Sequence, residues 1–270
     1  MLGLILGDDK LGILITKKLK LLNIKFVIID ISRNKVFKKE NNSFHLTIGK
    51  IGKAISLLKK YRCKKIILAG KINMPNFSRT SFDLKALYYL PKIIQGAKKG
   101  DAETIKVIIN IFKKEGFKVI SSTHFNPELM LKKTNLTKTK PNLINKRDIL
   151  KGRSVINNLN NKEAGQAVVI KNGYILAIEG VEGTDSMLNK TKNILKGFSK
   201  QKKRSGILLK FPKKKQDLRV DLPTIGMHTL KKCATLGLKG VVLKANKNIF
   251  LDRSKCVTFA NKNKMFICAV

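Results

Sequence analysis

The sequence predicts an α/β fold, in which an N-terminal Rossmann-like parallel-sheet domain is followed by a second, C-terminal α/β domain. Three observations lead to this prediction. Short runs rich in Ile, Val and Leu alternate with segments of helical spacing between residues 1 and 121, as expected when helices cover both faces of a parallel sheet. A polar stretch with two prolines then interrupts the pattern over residues 122–145. Alternation resumes from residue 146 to the end of the chain.

The elements of the N-terminal domain, residues 1–121, follow from its apolar runs and the residues that punctuate them. Gly7 and Gly70 each end an apolar run, which predicts a buried strand before each glycine. Asp101 and Glu103 open a helical pattern, where acids favour the first turn, and Gly116 closes it. The predicted strands are Met1–Leu6, Lys25–Ile31, Lys64–Ala69 and Phe117–Ile120, and the predicted helices are Leu11–Leu22, Lys50–Tyr61, Leu84–Lys99 and Asp101–Glu115.

Residues 122–145 are interpreted as a linker, because Thr, Asn and Lys dominate there and Pro127 and Pro141 break helices. The C-terminal domain, residues 146–270, is expected to be the catalytic one. Within it, Asn172-Gly173 between two apolar runs predicts a β-hairpin. The other expectations are helices at Lys146–Leu159, from about Ser186 and at Met227–Leu238, and strands at Ala167–Lys171, Tyr174–Glu179, Ile207–Lys210, Gly240–Leu243, Ile249–Leu251 and Met265–Val270.

The chain is strongly basic, with 57 Lys and Arg residues against 17 Asp and Glu residues, a net charge of +40. Such a charge favours anionic partners, which include nucleic acid, acidic lipid surfaces and phosphorylated substrates. A basic nucleic-acid-binding protein without enzymatic activity is therefore the alternative hypothesis. The lysines are spread over the whole length and no aromatic residues are interleaved in a basic patch, so no nucleic-acid partner is expected. An AT-rich coding bias explains most of the lysines, and a smaller part favours an anionic membrane surface.

The cysteines and the hydropathy indicate a cytoplasmic protein. Cys63, Cys233, Cys256 and Cys268 form no C-x-x-C pair and lie in or beside apolar runs, as is typical of free, buried thiols in a reducing compartment. The three histidines have no metal-ligand spacing. The segment Leu2–Leu6 is too short for a signal peptide, and no apolar run approaches the roughly 20 residues that span a bilayer. We therefore expect a soluble or peripheral protein.

The segment from Arg219 to Gly226, with Asp221 between a cation and a Pro-Thr turn, is the most informative stretch. It precedes the helix predicted from Met227, and anions are favoured where a helix begins. The Asp221 carboxylate, the Arg219 cation and the unpaired backbone amides of the helix start could together bind a metal ion and a phosphate. The other interpretation is a helix N-cap region with a surface ion pair, which the residues alone favour.

A second acidic segment runs from Glu179 to Asp185 and holds three carboxylates and the hydroxyl of Thr184. Hard cations such as Mg²⁺ prefer oxygen ligands of this kind, and acids are scarce elsewhere in the chain. Thr184 or Asp185 would equally serve as the N-cap of a helix. Both interpretations remain open and are compatible with each other.

Two turns of the N-terminal domain are candidate phosphate sites. Gly70-Lys71 follows a predicted strand at the edge where open α/β sheets bind ligands, which makes Lys71 a candidate phosphate contact or else a solvated loop lysine. The first turn, Gly3 to Gly12, is poor in glycine and carries Asp8 and Asp9, so it fails as a dinucleotide fingerprint. The favoured interpretation is an ordinary strand–turn–helix, in which Asp8 could cap the helix. The missing fingerprint argues against a nicotinamide-dependent enzyme.

Several segments match one known family in the same order. They are Gly70-x-x-x-x-Pro75-x-Phe77, Lys99-Gly-Asp101, Gly165-Gln166-Ala-Val-Val, Glu182-Gly-Thr-Asp185 and Arg219-Val-Asp-Leu-Pro-Thr-Ile-Gly226. On these segments the chain resembles, over nearly its full length, the UDP-2,3-diacylglucosamine pyrophosphatase of lipid A biosynthesis that combines a Rossmann-like domain with a distinct C-terminal domain. The last two segments are the most specific. The first turn departs from the family's glycine cluster followed by Leu-Pro.

The resemblance implies metal-dependent hydrolysis of the substrate pyrophosphate to UMP and 2,3-diacylglucosamine 1-phosphate. It implies Mg²⁺, or another divalent cation such as Mn²⁺, a homodimer, a lipid substrate held between the two domains, and a cytoplasmic location peripheral to the inner membrane. The family's essential aspartate falls on Asp221. The hypothesised metal ligands are Asp221, Asp185 and Glu182, and the hypothesised substrate-binding residues are Thr184, Arg219, Lys210, Gln166, Thr224, Lys71 and Gly70.

An apolar and aromatic segment before residue 91 has two interpretations. Acyl chains require an apolar cleft, and this segment is the densest apolar stretch without the regular pattern of a strand. Ordinary helix core is the other interpretation and is slightly favoured. The residues concerned are Phe77, Phe82, Leu84, Leu87, Tyr88, Tyr89 and Leu90.

Overall fold

The computed structural model describes residues 1–71, 80–159, 165–198 and 203–270. Contacts divide the chain into two compact units. Unit 1 comprises Met1–Pro127 together with the short segment Asp217–Asp221, and unit 2 comprises Glu128–Gln216 and Leu222–Val270. The stretch predicted as a linker, residues 122–145, is thus shared between the two units.

Unit 1 is a Rossmann-like α/β domain, as predicted. Its described strands form a five-stranded parallel sheet in the order β3-β2-β1-β4-β5, which is the order of the first strands of a doubly wound fold. The elements in chain order are β1 (Leu2–Leu6), α1 (Lys10–Leu21), β2 (Phe26–Asp30), β3 (Ser43–His45), α2 (Ile51–Lys60), β4 (Lys65–Ala69), α3 (Leu84–Lys98), α4 (Asp101–Lys114) and β5 (Lys118–Val119).

The core of unit 1 lies on the sheet. All five residues of β1 are buried, which explains why the strand appears in the sequence as an unbroken apolar run. The helix α1 buries Leu11, Ile15 and Leu19 at helical spacing. The strand β3 was not predicted, because Ser43–His45 is short and lacks an apolar run.

The turns after β1 and β4 meet at the carboxyl edge of this sheet. Gly70 has φ of +92°, and a Cβ there would collide with the backbone of Gly7, so both turns depend on glycine. Asp8 and Lys71 exchange backbone hydrogen bonds of 3.0 and 2.6 Å. The cap of α1 is Asp9, whose carboxylate accepts from Leu11 N–H at 2.8 Å, and not Asp8 as the sequence suggested.

Unit 2 is a second α/β domain with a mixed sheet, as predicted. Its described strands form a six-stranded sheet in the order β6-β13-β11-β9-β7-β8 and a separate pair, β10-β12. Strands β9, β11 and β13 are parallel, while β7 runs antiparallel to β9 and β8 antiparallel to β7. The elements are β6 (Thr134–Asn135), α5 (Leu143–Leu159), β7 (Ala167–Lys171), β8 (Tyr174–Ile178), α6 (Gly183–Phe198), β9 (Ile207–Lys210), β10 (Thr224–Ile225), α7 (Met227–Thr235), β11 (Gly240–Leu243), β12 (Ile249–Phe250), α8 (Arg253–Lys262) and β13 (Phe266–Ala269).

The predicted hairpin between β7 and β8 is confirmed. Asn172 and Gly173 have φ of +51° and +83°, as a two-residue turn that matches strand twist requires. The buried carboxylate of Asp148 on α5 accepts from both turn amides, at 3.1 Å from Asn172 N and 2.6 Å from Gly173 N. The helix therefore fixes the turn as well as covering the sheet.

Two further differences from the predicted elements concern helices. Helix α8 was missed because Arg253–Lys262 is mostly polar and buries only Cys256 and Ala260, so its periodicity is weak. Helix α5 begins soon after Pro141, inside the predicted linker. All four cysteines are free and buried, as expected. In the part of the chain that the structure describes, no helix is long and apolar enough to cross a membrane.

Glu115, at the end of α4, joins three helices of unit 1. Its carboxylate accepts from Lys59 on α2 at 2.9 Å and from Lys85 on α3 at 2.5 Å. These hydrogen bonds, first that of Lys85 and then that of Lys59, lower the pKa of Glu115 from its ordinary 4.5 to about 2. The folded pKa lies below the unfolded one, so this carboxylate stabilises the fold above pH 4.5 and loses that contribution as the pH falls toward 2.

We expect Glu115→Gln to lower the free energy of unfolding at neutral pH and to flatten its dependence on pH between 4.5 and 2. Urea unfolding at a series of pH values measures both effects. The matched control is Glu40→Gln, which removes an acid that pairs with the exposed Lys20 at 2.7 Å. Equal pH slopes in wild type and Glu115→Gln would contradict the prediction.

Candidate functional site

The carboxyl edge of the unit 2 sheet gathers the chain segments that carry most of the predicted substrate-binding residues. Because β7 runs antiparallel to β9, Ala167 at the start of β7 pairs with Lys210 at the end of β9. The end of β8 reaches the same edge, since Ile178 pairs with Val168. Open α/β sheets bind ligands outside this edge. The segments Gly165-Gln166, Glu179–Asp185 and Lys210–Gln216 therefore meet there.

Glu179 connects two of these segments through its buried carboxylate. Its side chain accepts from Gln166 N–H at 2.9 Å and from the Thr184 hydroxyl at 2.6 Å, and the residue is only 5% exposed. A Cβ on Gly165 would overlap the backbone of Glu179, so the close approach requires glycine. Gln166 and Thr184, both predicted to bind substrate, are thus brought together by Glu179, which belongs to the predicted acidic segment but was given no role as a ligand.

Lys210 and Thr224 form the next part of the edge. The Lys210 ammonium donates to the Thr224 carbonyl at 3.3 Å, and the residue is 8% exposed. Asn248, fully buried, donates to the Lys210 carbonyl at 3.0 Å and accepts from Lys244 N–H at 2.9 Å. A buried ammonium is stabilised by oxygen partners or by an anion. Asn248 was missed, because nothing in its sequence neighbourhood distinguishes it from other loop asparagines.

Gln166 is also held from the loop after β9. Gln216 donates to the Gln166 side-chain oxygen at 3.3 Å, and its own oxygen accepts from Lys213 N–H at 2.9 Å. Phe211 N–H donates to the Gln166 carbonyl at 2.9 Å. The basic loop Lys213–Lys215 is therefore tied to the same edge as Lys210.

The acidic turn begins α6 earlier than predicted. The helix starts at Gly183 and not near Ser186, so Thr184 and Asp185 lie in its first turn. Glu182 lies 3.2 Å from Lys190, while Asp185 lies 3.1 Å from Lys232 and 3.5 Å from His228. The pKa of Glu182 is held below its ordinary value, first by its own backbone N–H and then by Lys190.

Asp221 and Arg219 belong to unit 1, at the end of its sheet beyond β5. Arg219 accepts from Ser122 N–H at 2.7 Å through its carbonyl, and its guanidinium donates to both oxygens of Asp217 at 3.0 and 2.7 Å. The guanidinium holds the pKa of Asp217 below its ordinary value. Asp221 is half-buried, and its N–H donates to the Asp217 carbonyl at 2.8 Å.

The helix N-cap interpretation of Asp221 is wrong. The cap of α7 is Gly226, and the strand β10 separates it from Asp221. Asp217 was not predicted as a site residue, although its two-residue spacing from Arg219 was a usable signal.

Comparisons with known proteins assign nearly the whole chain to one family. The model of the LpxI N-terminal domain matches residues 1–129, and that of the LpxI C-terminal domain matches residues 132–268. The chain belongs to the LpxI family. It is 33% identical over 224 residues to "UDP-2,3-diacylglucosamine pyrophosphatase LpxI" of Caulobacter vibrioides, covering 83% of this chain and 80% of that relative. The resemblance inferred from the motifs is confirmed.

The LpxI-family assignment leaves the metal ligands untested. Among residues 1–71, 80–159, 165–198 and 203–270, no group of three His, Cys, Asp or Glu side chains is arranged to hold a metal ion. Glu182 and Asp185 of unit 2 each face a lysine, and Asp221 belongs to unit 1. The ligand set Asp221, Asp185 and Glu182 stays a prediction.

The remaining predicted residues lie elsewhere in unit 1. Gly70 and Lys71 follow β4 at the edge of its own sheet. In the apolar segment, Phe77 lies outside the described residues. Helix core is the correct interpretation for buried Tyr89, but it is wrong for Leu84, Leu87 and Tyr88, which are exposed.

Glu179→Gln tests the buried connection in this LpxI-family site. In glutamine an NH₂ replaces one of the two acceptor oxygens, so the Thr184 hydroxyl must turn from donor to acceptor, and a charged acceptor is replaced by a neutral one. We expect a loss of about 1–3 kcal/mol in the free energy of unfolding, measured by urea denaturation. Glu182→Gln is the control in the same turn and removes an exposed contact with Lys190. Equal stability of the two variants would show that Glu179 does not hold the edge together.

Proposed function

We propose that this chain hydrolyses the pyrophosphate of UDP-2,3-diacylglucosamine to UMP and 2,3-diacylglucosamine 1-phosphate in lipid A biosynthesis. The observation that carries this proposal is the 33% identity over 83% of the chain to a relative named for that activity. The family models add support, since they match both halves of the chain. The polar edge of the unit 2 sheet supplies groups that suit such a substrate.

Three features of that edge suit a pyrophosphate. The buried Lys210 ammonium offers a positive charge at the end of β9. The first turn of α6 offers backbone N–H groups and the positive end of a helix dipole, which bind phosphates in many proteins. The Thr184 hydroxyl is oriented by its hydrogen bond to Glu179. In the proposal, Gln166, Thr184, Lys210 and Thr224 therefore bind the substrate.

In the proposal, Arg219 and Asp221 act from unit 1. Asp217 accepts from two N–H groups of Arg219 and orients its guanidinium plane. The other N–H groups of the guanidinium would then donate to a phosphate oxygen. Asp221 orients the attacking water or binds the cation. Gly70 and Lys71 are proposed as a further phosphate contact of unit 1.

Hydrolysis forms a bond from the water oxygen to one phosphorus and breaks that atom's bond to the bridging oxygen. The bridging oxygen leaves with the second phosphate, so two phosphate monoesters replace one pyrophosphate and negative charge accumulates. Positive groups of the chain are needed to offset this charge. In the proposal, Lys190 of α6 and Lys232 of α7, which pair with Glu182 and Asp185, contribute part of this positive charge.

We propose Mg²⁺ or Mn²⁺ as the cofactor. Mg²⁺ is usually bound by one or two carboxylates together with waters and substrate phosphates. Glu182 and Asp185, which lie in one turn of unit 2, would supply these two carboxylates. The other ligands would be waters and substrate phosphate oxygens. Asp221 is the proposed carboxylate of unit 1. A cation bound there would neutralise charge as the bridging P–O bond breaks.

The proposed setting is the cytoplasmic face of the inner membrane, where the protein is peripheral and forms a homodimer. The net charge of +40 favours an anionic lipid surface, and a diacylated substrate resides in such a surface. A nucleic-acid partner is not part of the proposal.

Asp221→Asn should lower kcat for UMP release by at least about 100-fold, because an amide neither accepts a proton from water nor binds a cation as a carboxylate does. Circular dichroism and thermal unfolding should remain close to wild type. Asp101→Asn, an exposed acid of unit 1, is the control and should keep full activity. Near-wild-type turnover of Asp221→Asn would remove Asp221 from the mechanism.

Removal of divalent cations should abolish UMP release. A chelator is added to the purified enzyme with UDP-2,3-diacylglucosamine in detergent micelles, and Mg²⁺ or Mn²⁺ is then restored in excess. We expect activity to disappear and to return with either cation. Full turnover in the presence of chelator would rule out the cofactor while leaving the hydrolase proposal intact.

A further inference from the structure

Helix α3 presents an unusual apolar face to solvent. Leu84, Leu87 and Tyr88 are 86%, 50% and 73% exposed, and Pro91 is exposed as well. These four residues are spaced three and four apart, so they form one stripe along the helix. Scattered apolar residues on a surface are common, whereas a contiguous stripe indicates an interaction site.

The opposite face of α3 already anchors the helix to unit 1. Ala86, Tyr89, Ile93 and Gly96 are buried, and Tyr89 donates to Glu115 at 3.3 Å. Gly96 lets α4 approach closely, since a Cβ there would lie 3.2 Å from Val107. The exposed stripe is therefore not needed for folding, and its apolar character requires another explanation.

One flank of the stripe is basic. Lys85, Lys92 and Lys99 are spaced seven residues apart, which places them in one row beside the stripe. The sequence of α3 contains no acidic residue. Lys85 is paired with Glu115, while Lys92 and Lys99 line a cavity.

That cavity, of about 640 Å³, lies between α3 and α4. Lys113 and Lys114 of α4 also line it, together with Gln95. Its wall contains one carboxylate, that of Glu103, which is paired with Lys106. The charged side chains of its wall are thus mostly basic, and α3 carries both part of this wall and the apolar stripe.

We propose that α3 is the surface by which this protein docks on an anionic membrane. Leu84, Leu87 and Tyr88 enter the boundary between headgroups and acyl chains, as the apolar face of an interfacial helix does. The lysine row and the cavity receive lipid phosphate groups, and long lysine side chains reach the headgroup level. The proposal specifies the surface for the peripheral location given above, and its biological purpose rests on that proposed function.

Two other occupants fit the charges less well. A second copy of the chain would bring two lysine rows together, and like charges across an interface are unfavourable. A nucleic acid would satisfy the lysines through its phosphates, but it would leave the three apolar side chains without an apolar partner. An anionic bilayer satisfies both parts of the surface.

The test is cosedimentation of the full chain with vesicles of phosphatidylcholine alone or with added phosphatidylglycerol. Wild type should bind the anionic vesicles, less so as ionic strength rises. The combined variant Leu84→Ser, Leu87→Ser and Tyr88→Ser should bind them about tenfold more weakly or worse. The matched control is Leu143→Ser, Leu150→Ser and Tyr174→Ser, which removes two leucines and one tyrosine of unit 2 that are 74%, 64% and 66% exposed. It should bind as wild type does.

Each other result overturns the proposal. Unchanged vesicle binding of the α3 variant, or an equal loss in the unit 2 control, would show that α3 is not the docking surface. A change in oligomeric state with vesicle binding retained would assign the stripe to a second copy. If wild type bound a nucleic-acid duplex in a salt-resistant way and the α3 variant did not, the stripe would be assigned to nucleic-acid binding.

Hydrolysis of detergent-dispersed substrate separates this proposal from the enzymatic one. The α3 variant should keep its KM and kcat there, because dispersed substrate requires no docking. A raised KM for long-chain substrate alone would support an acyl pocket and overturn the docking role. If wild type does not hydrolyse the substrate but binds anionic vesicles through α3, the enzymatic proposal fails and the docking surface stands.

Discussion

The direction of the strands is the constraint on which the polar edge of unit 2 and the Gly70-Lys71 turn of unit 1 both depend. In unit 2, pairing of β9 with β7 and β11 places Lys210 opposite Ala167 and Leu243, so segments far apart in sequence end at one edge. In unit 1, the parallel pairing of β1 with β4 brings the turns after both strands into contact. Catalytic proteins of this class bind ligands at such edges because the loops converge there.

The scarce acids of this basic chain mostly have structural partners. Asp30 accepts from the backbone of Ser32 and Phe37, Asp148 holds a hairpin turn, and Glu179 joins two loops. Glu115 joins three helices. An acid in a surplus of lysines is thus not in itself a sign of a metal site, because buried carboxylates are stabilised only when donors surround them. Glu182 and Asp185 differ in being more exposed.

In the docking proposal, the exposed face of α3 gives the chain a second kind of specificity. One face of α3 is buried in unit 1. The opposite, exposed face combines Leu84 and Tyr88 with a row of lysines. Hydrophobic and electrostatic attraction act together only at a surface that is both apolar and anionic. The docking proposal would thus account for a basic composition in a protein of the LpxI family.

Residue patterns along the chain were enough to predict the α/β class, the order of most elements, the hairpin at Asn172-Gly173 and the family. These features follow from local periodicity, turn chemistry and linear motifs. The folded chain was needed to show that Asp221 precedes a strand, that Asp9 caps α1, and that Glu179 connects Gln166 to Thr184. Such contacts join residues whose separation along the chain carries no periodic signal, because they arise from strand pairing and loop packing.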